Sequence, residues 1–207
     1  MNKLDAIAQH QRSLSECRLC EDMIPPVIIG QQVQSEILLI GQAPGDREGE
    51  LGRPFAWTAG KTLFKWFDSI GVTETSFRQQ VYMSAVCRCF PGKNPKGGDR
   101  VPNKSEIETC SQWLHAEINL LQPKLMIPVG KLAISQYLEV TRLVDVIGNK
   151  FTREIFGKQM DIIPLPHPSG ASTWHQMSPG KELLRQALSL LAQHESWQRL
   201  RQKSLSQ

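Results

Sequence analysis

A long glycine-rich stretch, Gly41 to Gly60 (GQAPGDREGELGRPFAWTAG), follows directly on the apolar run Ile37-Leu38-Leu39-Ile40. That run has the length and branching of a buried parallel strand. An amphipathic helix begins where the stretch ends, through Thr62 to Ile70, with Gly71 placed to cap it. The stretch is therefore a loop leaving the carboxyl end of a first strand, the edge at which open α/β sheets bind ligands. Its glycines allow backbone to approach a ligand closely. Gln42, Asp46 and Glu48 add polar groups, and Phe55 and Trp57 add flat faces that can stack on a base. Neither G-x-x-x-x-G-K-[ST] nor G-x-G-x-x-G occurs here, so this is not a standard phosphate loop.

The rest of the chain repeats the strand–helix alternation. Residues 4–14 form a short helix and residues 80–86 a second strand. Ser105 caps a helix running to Leu121. Residues 125–129 form a third strand, followed by a helix over 132–138. Residues 144–158 read as a hairpin or a loop with a short strand. Residues 160–165 form a fourth strand, and a last helix runs from about Lys181 to His194. This order predicts an α/β fold, a three-layer α/β/α sandwich on a central four-stranded parallel sheet. The chain reads as a single domain over 1–207, with the polar residues 195–207 as a frayed tail.

Apolar runs fall well short of the roughly 18 residues of a membrane span. The N-terminus lacks an apolar signal core, so a cytoplasmic location is expected, and with nothing resembling a dimer seam a monomer is the default. A net charge of +4 is compatible with nucleic acid without establishing it. The loop Lys93 to Arg100 is basic and rich in turn formers; it reads equally as a phosphate-backbone contact and as a solvated loop.

Two constellations carry chemistry. The loops Gln42–Phe55 and His167–Ser172 both open onto one sheet edge, and the prolines around His167 restrict its direction. The second constellation is Cys17-x-x-Cys20, Cys89 past the second strand and Cys110 in the following helix. Four such thiolates could ligate an iron–sulfur cluster or a tetrahedral zinc, and spacing does not decide between them. Cys87 stands two residues from Cys89 and could compete as a ligand or serve as a core thiol.

Gly41-Gln42-Ala43-Pro44-Gly45, Glu48, Gly52-Arg53-Pro54-Phe55, Ala59-Gly60, the four cysteines and His167-Pro168-Ser169 occur in this order over nearly the whole chain. In that pattern the chain resembles the uracil-DNA glycosylase superfamily, and among its members the family 4 enzymes that carry a [4Fe–4S] cluster. The resemblance implies a DNA repair glycosylase that flips a deaminated base, uracil above all, from DNA and hydrolyses its N-glycosidic bond. It implies Gln42, Glu48 and His167 as catalytic residues. Gln42 or Glu48 would position water or stabilise the sugar cation, and His167 would donate to uracil O2. Phe55 would stack on the base, and the backbone around Gly41, Gln42, Ala43, Gly45 and Asp46 would bind it. Ser84 and Ala85 would line the pyrimidine edge, and Ser169 would grip the DNA backbone. A structural [4Fe–4S] cluster on Cys17, Cys20, Cys89 and Cys110 would tie down residues 1–35.

The chain departs from the family at three positions. Gln42 replaces a glutamate, Ala85 stands where an asparagine reads the base, and Trp57 replaces a small residue. Glutamine cannot act as a base at ordinary pH, and alanine cannot make a two-sided amide contact. Gln42 and Ala85 open one rival reading, a catalytically divergent DNA-binding member of the fold, and the generic sheet and cysteines open another, a zinc-stabilised nucleotide-binding α/β protein.

Overall fold

The computed structural model describes residues 2–170 and 172–205, so Ala171 of the His167–Ser172 loop and the last two residues of the tail lie outside it. In chain order the elements are α1 (Lys3–Ser15), β1 (Ile37–Gly41), α2 (Glu48–Leu51), α3 (Thr58–Asp68), α4 (Glu74–Gln80), β2 (Tyr82–Ala85), α5 (Lys104–Leu121), β3 (Leu125–Pro128), α6 (Lys131–Ser135), β4 (Phe151–Ile155), β5 (Lys158–Ile162), α7 (Gly180–Gln193) and α8 (Glu195–Leu205). The strands form one sheet in the order β2-β1-β3-β5-β4.

The α/β architecture is as expected, but the sheet has five strands rather than four. The four anticipated strands pair in parallel, with β1 between β2 and β3. The additional strand, β4, runs antiparallel to β5 along the edge. It comes from the irregular 144–158 segment. Phe156 and Gly157 turn it back with φ of 50° and 72°, the double positive φ that a tight hairpin needs. Its three central residues, Thr152, Arg153 and Glu154, are exposed, which removes the apolar alternation that would mark a strand.

Every residue of β1 is buried, as a central strand covered on both faces must be. Alternation along β2 shows what covers each face. Tyr82 and Ser84 bond to Glu117 of α5, against which α1 packs. Met83, pointing the other way, meets Arg78 of α4. On that side Phe67 stacks on Phe77 at 4.6 Å, and Trp197 closes edge-on over Phe67 at 5.1 Å.

Two local expectations are corrected. The α5 cap is Asn103, not Ser105: Asn103 accepts the Glu106 N–H while Glu106 accepts the Asn103 N–H, a reciprocal capping box. The tail from Glu195 is not frayed. It forms α8, where Trp197 is fully buried and donates its indole N–H to Ile70 O, while Arg199 pairs with Glu36. Overall polarity concealed this, because one apolar stripe of Trp197 and Leu200 is enough to dock a helix. Among the described residues, no helix is long and apolar enough to cross a membrane.

Candidate active site

The loops after β1, β2 and β5 enclose a cleft of about 830 Å³ at the carboxyl edge of the sheet. Gly41, Gln42, Ala43, Gly45, Asp46, Glu48, Phe55, Trp57, Ser84, Ala85, His167 and Ser169 all line it. The two loops that the sequence set at one edge therefore do meet.

Phe55 forms the wall over the end of β1. Its ring lies where a side chain on Gly41 would stand, 3.0 Å from an ideal Cβ there, so only glycine admits it. Its backbone takes φ +52°, a left-handed conformation that costs a non-glycine residue about 1–2 kcal/mol. Two features hold it there. Gly60 lets the Phe55 carbonyl press against the start of α3, where a Cβ would lie 1.7 Å from that oxygen. The buried Arg78 guanidinium donates to Pro54 O and to Phe55 O, both at 2.8 Å. Arg78 also pairs with Glu74 and lies 4.6 Å over the Phe64 ring. Sequence reasoning missed Arg78 because, in sequence, it is one more polar residue on a short helix.

Glu48 lines the cleft, but its carboxylate is engaged. Oε2 accepts the Gly45 N–H and Oε1 the Ala56 N–H, each at 3.2 Å. Burial raises its pKa above the usual carboxylate range, against the opposing pull of those amides and the Arg78 charge. Glu48 thus ties the two ends of the glycine-rich loop together. The Gly45 amide, expected to meet the base, points at Glu48 instead. Among the described residues nothing in the protein bonds the Gln42 side chain, which leaves its amide to the cleft.

His167 is half-buried against Gly130, whose ideal Cβ would lie 3.0 Å from the imidazole Cδ2; a positive φ of 88° and this contact both call for glycine. Burial pulls the His167 pKa below its ordinary value, opposed by the Asp99 charge and aided by His175. The neutral ring accepts the Ser169 N–H at Nδ1, 3.3 Å away, so Nε2 carries the proton as a donor.

Ser84 reaches the cleft with its hydroxyl already committed. Its Oγ donates to Glu117 Oε2 at 2.7 Å and accepts from Arg88 at 2.5 Å. Arg88 also pairs with Glu117, which receives the Tyr82 hydroxyl. This buried network belongs to the α5 side of the sheet, and Ala85 beside it brings no polar group.

The Lys93–Arg100 segment is a closed hairpin. Lys93 and Asp99 bridge antiparallel, Asn94 N–H donates to Gly98 O at 2.9 Å, and Gly97 and Gly98 take positive φ. Arg100 anchors it, donating to Pro91 O at 2.7 Å and to both oxygens of Glu106. Lys93 Nζ bridges Asp99 and Asp46 at 2.8 and 3.1 Å on the rim of the cleft.

All five cysteines are free. Paired bonds between Ile24 and Phe90, and Ile28 N–H to Arg88 O, zip the segment after Cys20 to the one holding Cys89. Cys17, Cys20, Cys89 and Cys110 thereby share one electrostatic neighbourhood; burial first, then the neighbouring thiols, pushes Cys89 up to about 11. Cys87 is fully buried beside Cys110: the Cys110 thiol and burial push Cys87 up, while Cys87 and the Arg88 charge pull Cys110 below its ordinary value. Among the described residues no three His, Cys, Asp or Glu side chains are arranged to hold one ion. A zinc ion needs four ligands at about 2.0–2.3 Å from a single point. An iron–sulfur cluster is gripped at separate irons and wants all-sulfur donors, which is the set this chain provides.

Residues 28–192 match the family model described as the Uracil DNA glycosylase superfamily. Over 181 residues the chain is 31% identical to the Type-4 uracil-DNA glycosylase of Archaeoglobus fulgidus, covering 82% of this chain and 83% of that one. The Type-4 uracil-DNA glycosylase of Thermotoga maritima is 26% identical over 168 residues, with 80% and 81% covered. A Type-5 uracil-DNA glycosylase of Pyrobaculum aerophilum is 25% identical over 126 residues, covering 56% of this chain and 53% of its own.

Proposed function

The chain belongs to the uracil-DNA glycosylase superfamily, and on that premise we propose that it is a DNA repair glycosylase acting on a deaminated base, uracil first, as a monomer. The observation that carries this reading is His167: a neutral imidazole, oriented by the Ser169 amide, with an Nε2 donor in a cleft walled by Phe55. A flipped pyrimidine stacked on Phe55 would present O2 to that donor. As the C1′–N bond breaks, negative charge gathers on the base, and a donor fixed in place stabilises it by several kcal/mol. Flipping costs a few kcal/mol, which the ring contact and the enclosed cleft offset. Gln42 would orient the attacking water through its side-chain carbonyl. With Ser84 committed to Glu117 and Ala85 apolar, main-chain groups at the cleft floor would read the pyrimidine edge. Cys17, Cys20, Cys89 and Cys110 would hold a [4Fe–4S] cluster, whose chemistry here is structural cross-linking of the N-terminal segment to the loop after β2. Ser169 would contact the DNA backbone.

The direct test is single-stranded DNA carrying one labelled uracil, incubated with iron-loaded protein and then treated with alkali. Strand cleavage is expected, and it is expected to vanish in His167→Ala. Ala85 favours a second reading, a DNA-binding member without excision. Salt-dependent binding of the same strand with no cleavage of uracil, hypoxanthine or xanthine substrates would decide for it.

A further inference from the structure

Hydrolysis of a glycosidic bond needs a group to receive a proton from water, and the residues expected to do so are unsuited to it. Gln42 is an amide and has no basic site at ordinary pH. Both Glu48 oxygens accept backbone amides and hold the loop closed. Asp46 lies on the rim, half-exposed, with Oδ2 on Lys93, a setting it shares with Asp99, so the two are separated by what else they reach. One more carboxylate lines the cleft: Asp99, which no motif singled out.

Asp99 sits near the end of the Lys93–Arg100 hairpin, which folds back over the glycine-rich loop. Lys93 Nζ takes Oδ1 at 2.8 Å. The other oxygen, Oδ2, faces the Gly45 backbone, 3.2 Å from where a Cβ on Gly45 would stand. A side chain at Gly45 would crowd the carboxylate, so glycine there keeps its approach open. Asp99 is also a carboxylate whose charge reaches His167. The hairpin is held from behind by the Arg100–Glu106 pair and the Arg100 bond to Pro91 O, so the carboxylate is carried on a braced element. Fixing one oxygen and freeing the other is the arrangement a general base requires.

We infer that Asp99 is the general base of this cleft, a role that rests on the glycosylase reading above. The C1′–N bond breaks and its electron pair leaves with the base, held by the His167 Nε2 proton. The water oxygen bonds to C1′, and its proton passes to Asp99 Oδ2. That proton then leaves to solvent while the base anion takes one up, so one water is consumed and no other reactant is needed.

The test uses the full, iron-loaded chain and a labelled single strand with one uracil, at saturating protein, to read the bound-state rate. Affinity is read separately by anisotropy with an oligonucleotide bearing a tetrahydrofuran abasic site. Asp99→Asn is expected to slow the bound-state rate about 100-fold or more, with affinity within about threefold of wild type and Asp99→Glu recovering at least about tenfold of the lost rate. An Asp99→Asn rate within about threefold of wild type would overturn the assignment. Wild-type protein that excises no base would instead defeat the glycosylase reading, and this inference with it.

Discussion

Arg78 sits behind Phe55 and does not itself line the cleft, yet the wall of the cleft depends on it. Replacing it with methionine keeps much of the volume and removes two charge-assisted bonds, to Pro54 O and Phe55 O at 2.8 Å. Bonds of that kind contribute about 1.5–3 kcal/mol each, so the gross loss is about 3–6 kcal/mol. Part is recovered. Once released, Phe55 can leave its left-handed conformation and regain about 1–2 kcal/mol. Glu74, partly exposed, can rehydrate. The net loss of folding stability is expected to be about 2–4 kcal/mol, read as a shifted urea midpoint at constant slope. The effect on excision should be larger in proportion, because a displacement of about 1 Å in a positioning group costs about 100-fold in rate. Arg78→Lys keeps the charge but loses the planar fork and should fall between the two proteins. Arg78→Met with less than about 0.5 kcal/mol lost and a near-wild-type excision rate would refute the view that this guanidinium holds the Phe55 backbone.

Three further outcomes are expected. Trp197→Ala should cost about 3–5 kcal/mol in chemical denaturation, since it empties a fully buried aromatic site under α8; a loss below about 1 kcal/mol would mean that the helix is dispensable. Cys87→Ala should retain bound iron and acid-labile sulfide while Cys110→Ala loses both, because the proposed ligand set counts Cys110 and leaves Cys87 as a fully buried core thiol; iron lost equally from both would overturn this. His167, His175 and His194 are each lowered by burial, so the unfolded chain takes up protons more readily than the folded one. Stability is therefore full above about pH 6.5 and lost as pH falls through the depressed values, by up to about 1.4 kcal/mol per pH unit for each group. Urea midpoints at about pH 7.5 and 5.5 should differ less in His167→Asn than in wild type; an unchanged difference would remove His167 from that account.

Much of the site is legible in one dimension because its parts obey short-range rules. The apolar run before Gly41 can only be a buried strand, and a strand followed by a glycine-rich loop and a helix sends that loop to the carboxyl edge. His167, set between prolines after another apolar run, comes to the same edge by the same logic. The Cys17-x-x-Cys20 pair and the single cysteines are visible as candidates because their chemistry is rare in such a chain. Motif order over the whole length then identifies the family, without any knowledge of contacts.

What the linear pattern could not carry is which polar groups are already spent. Glu48 and Ser84 are ordinary candidates on the page of the sequence. Only the folded chain turns Glu48 onto the Gly45 and Ala56 amides and Ser84 onto Glu117, a partner far away in the chain. Arg78, Asp99 and Gly130 bear on the site through contacts to residues well removed in sequence, so no local signal marks them. The edge strand β4 and the helix α8 were hidden for a related reason: an exposed strand shows no alternation, and a helix docked by one tryptophan shows little hydrophobicity. Periodicity and motif spacing, which act over a few residues, determined the fold class and the family. The commitment of each hydrogen-bonding group depends on which distant groups the packing delivers to it, and that was decided only by the tertiary structure.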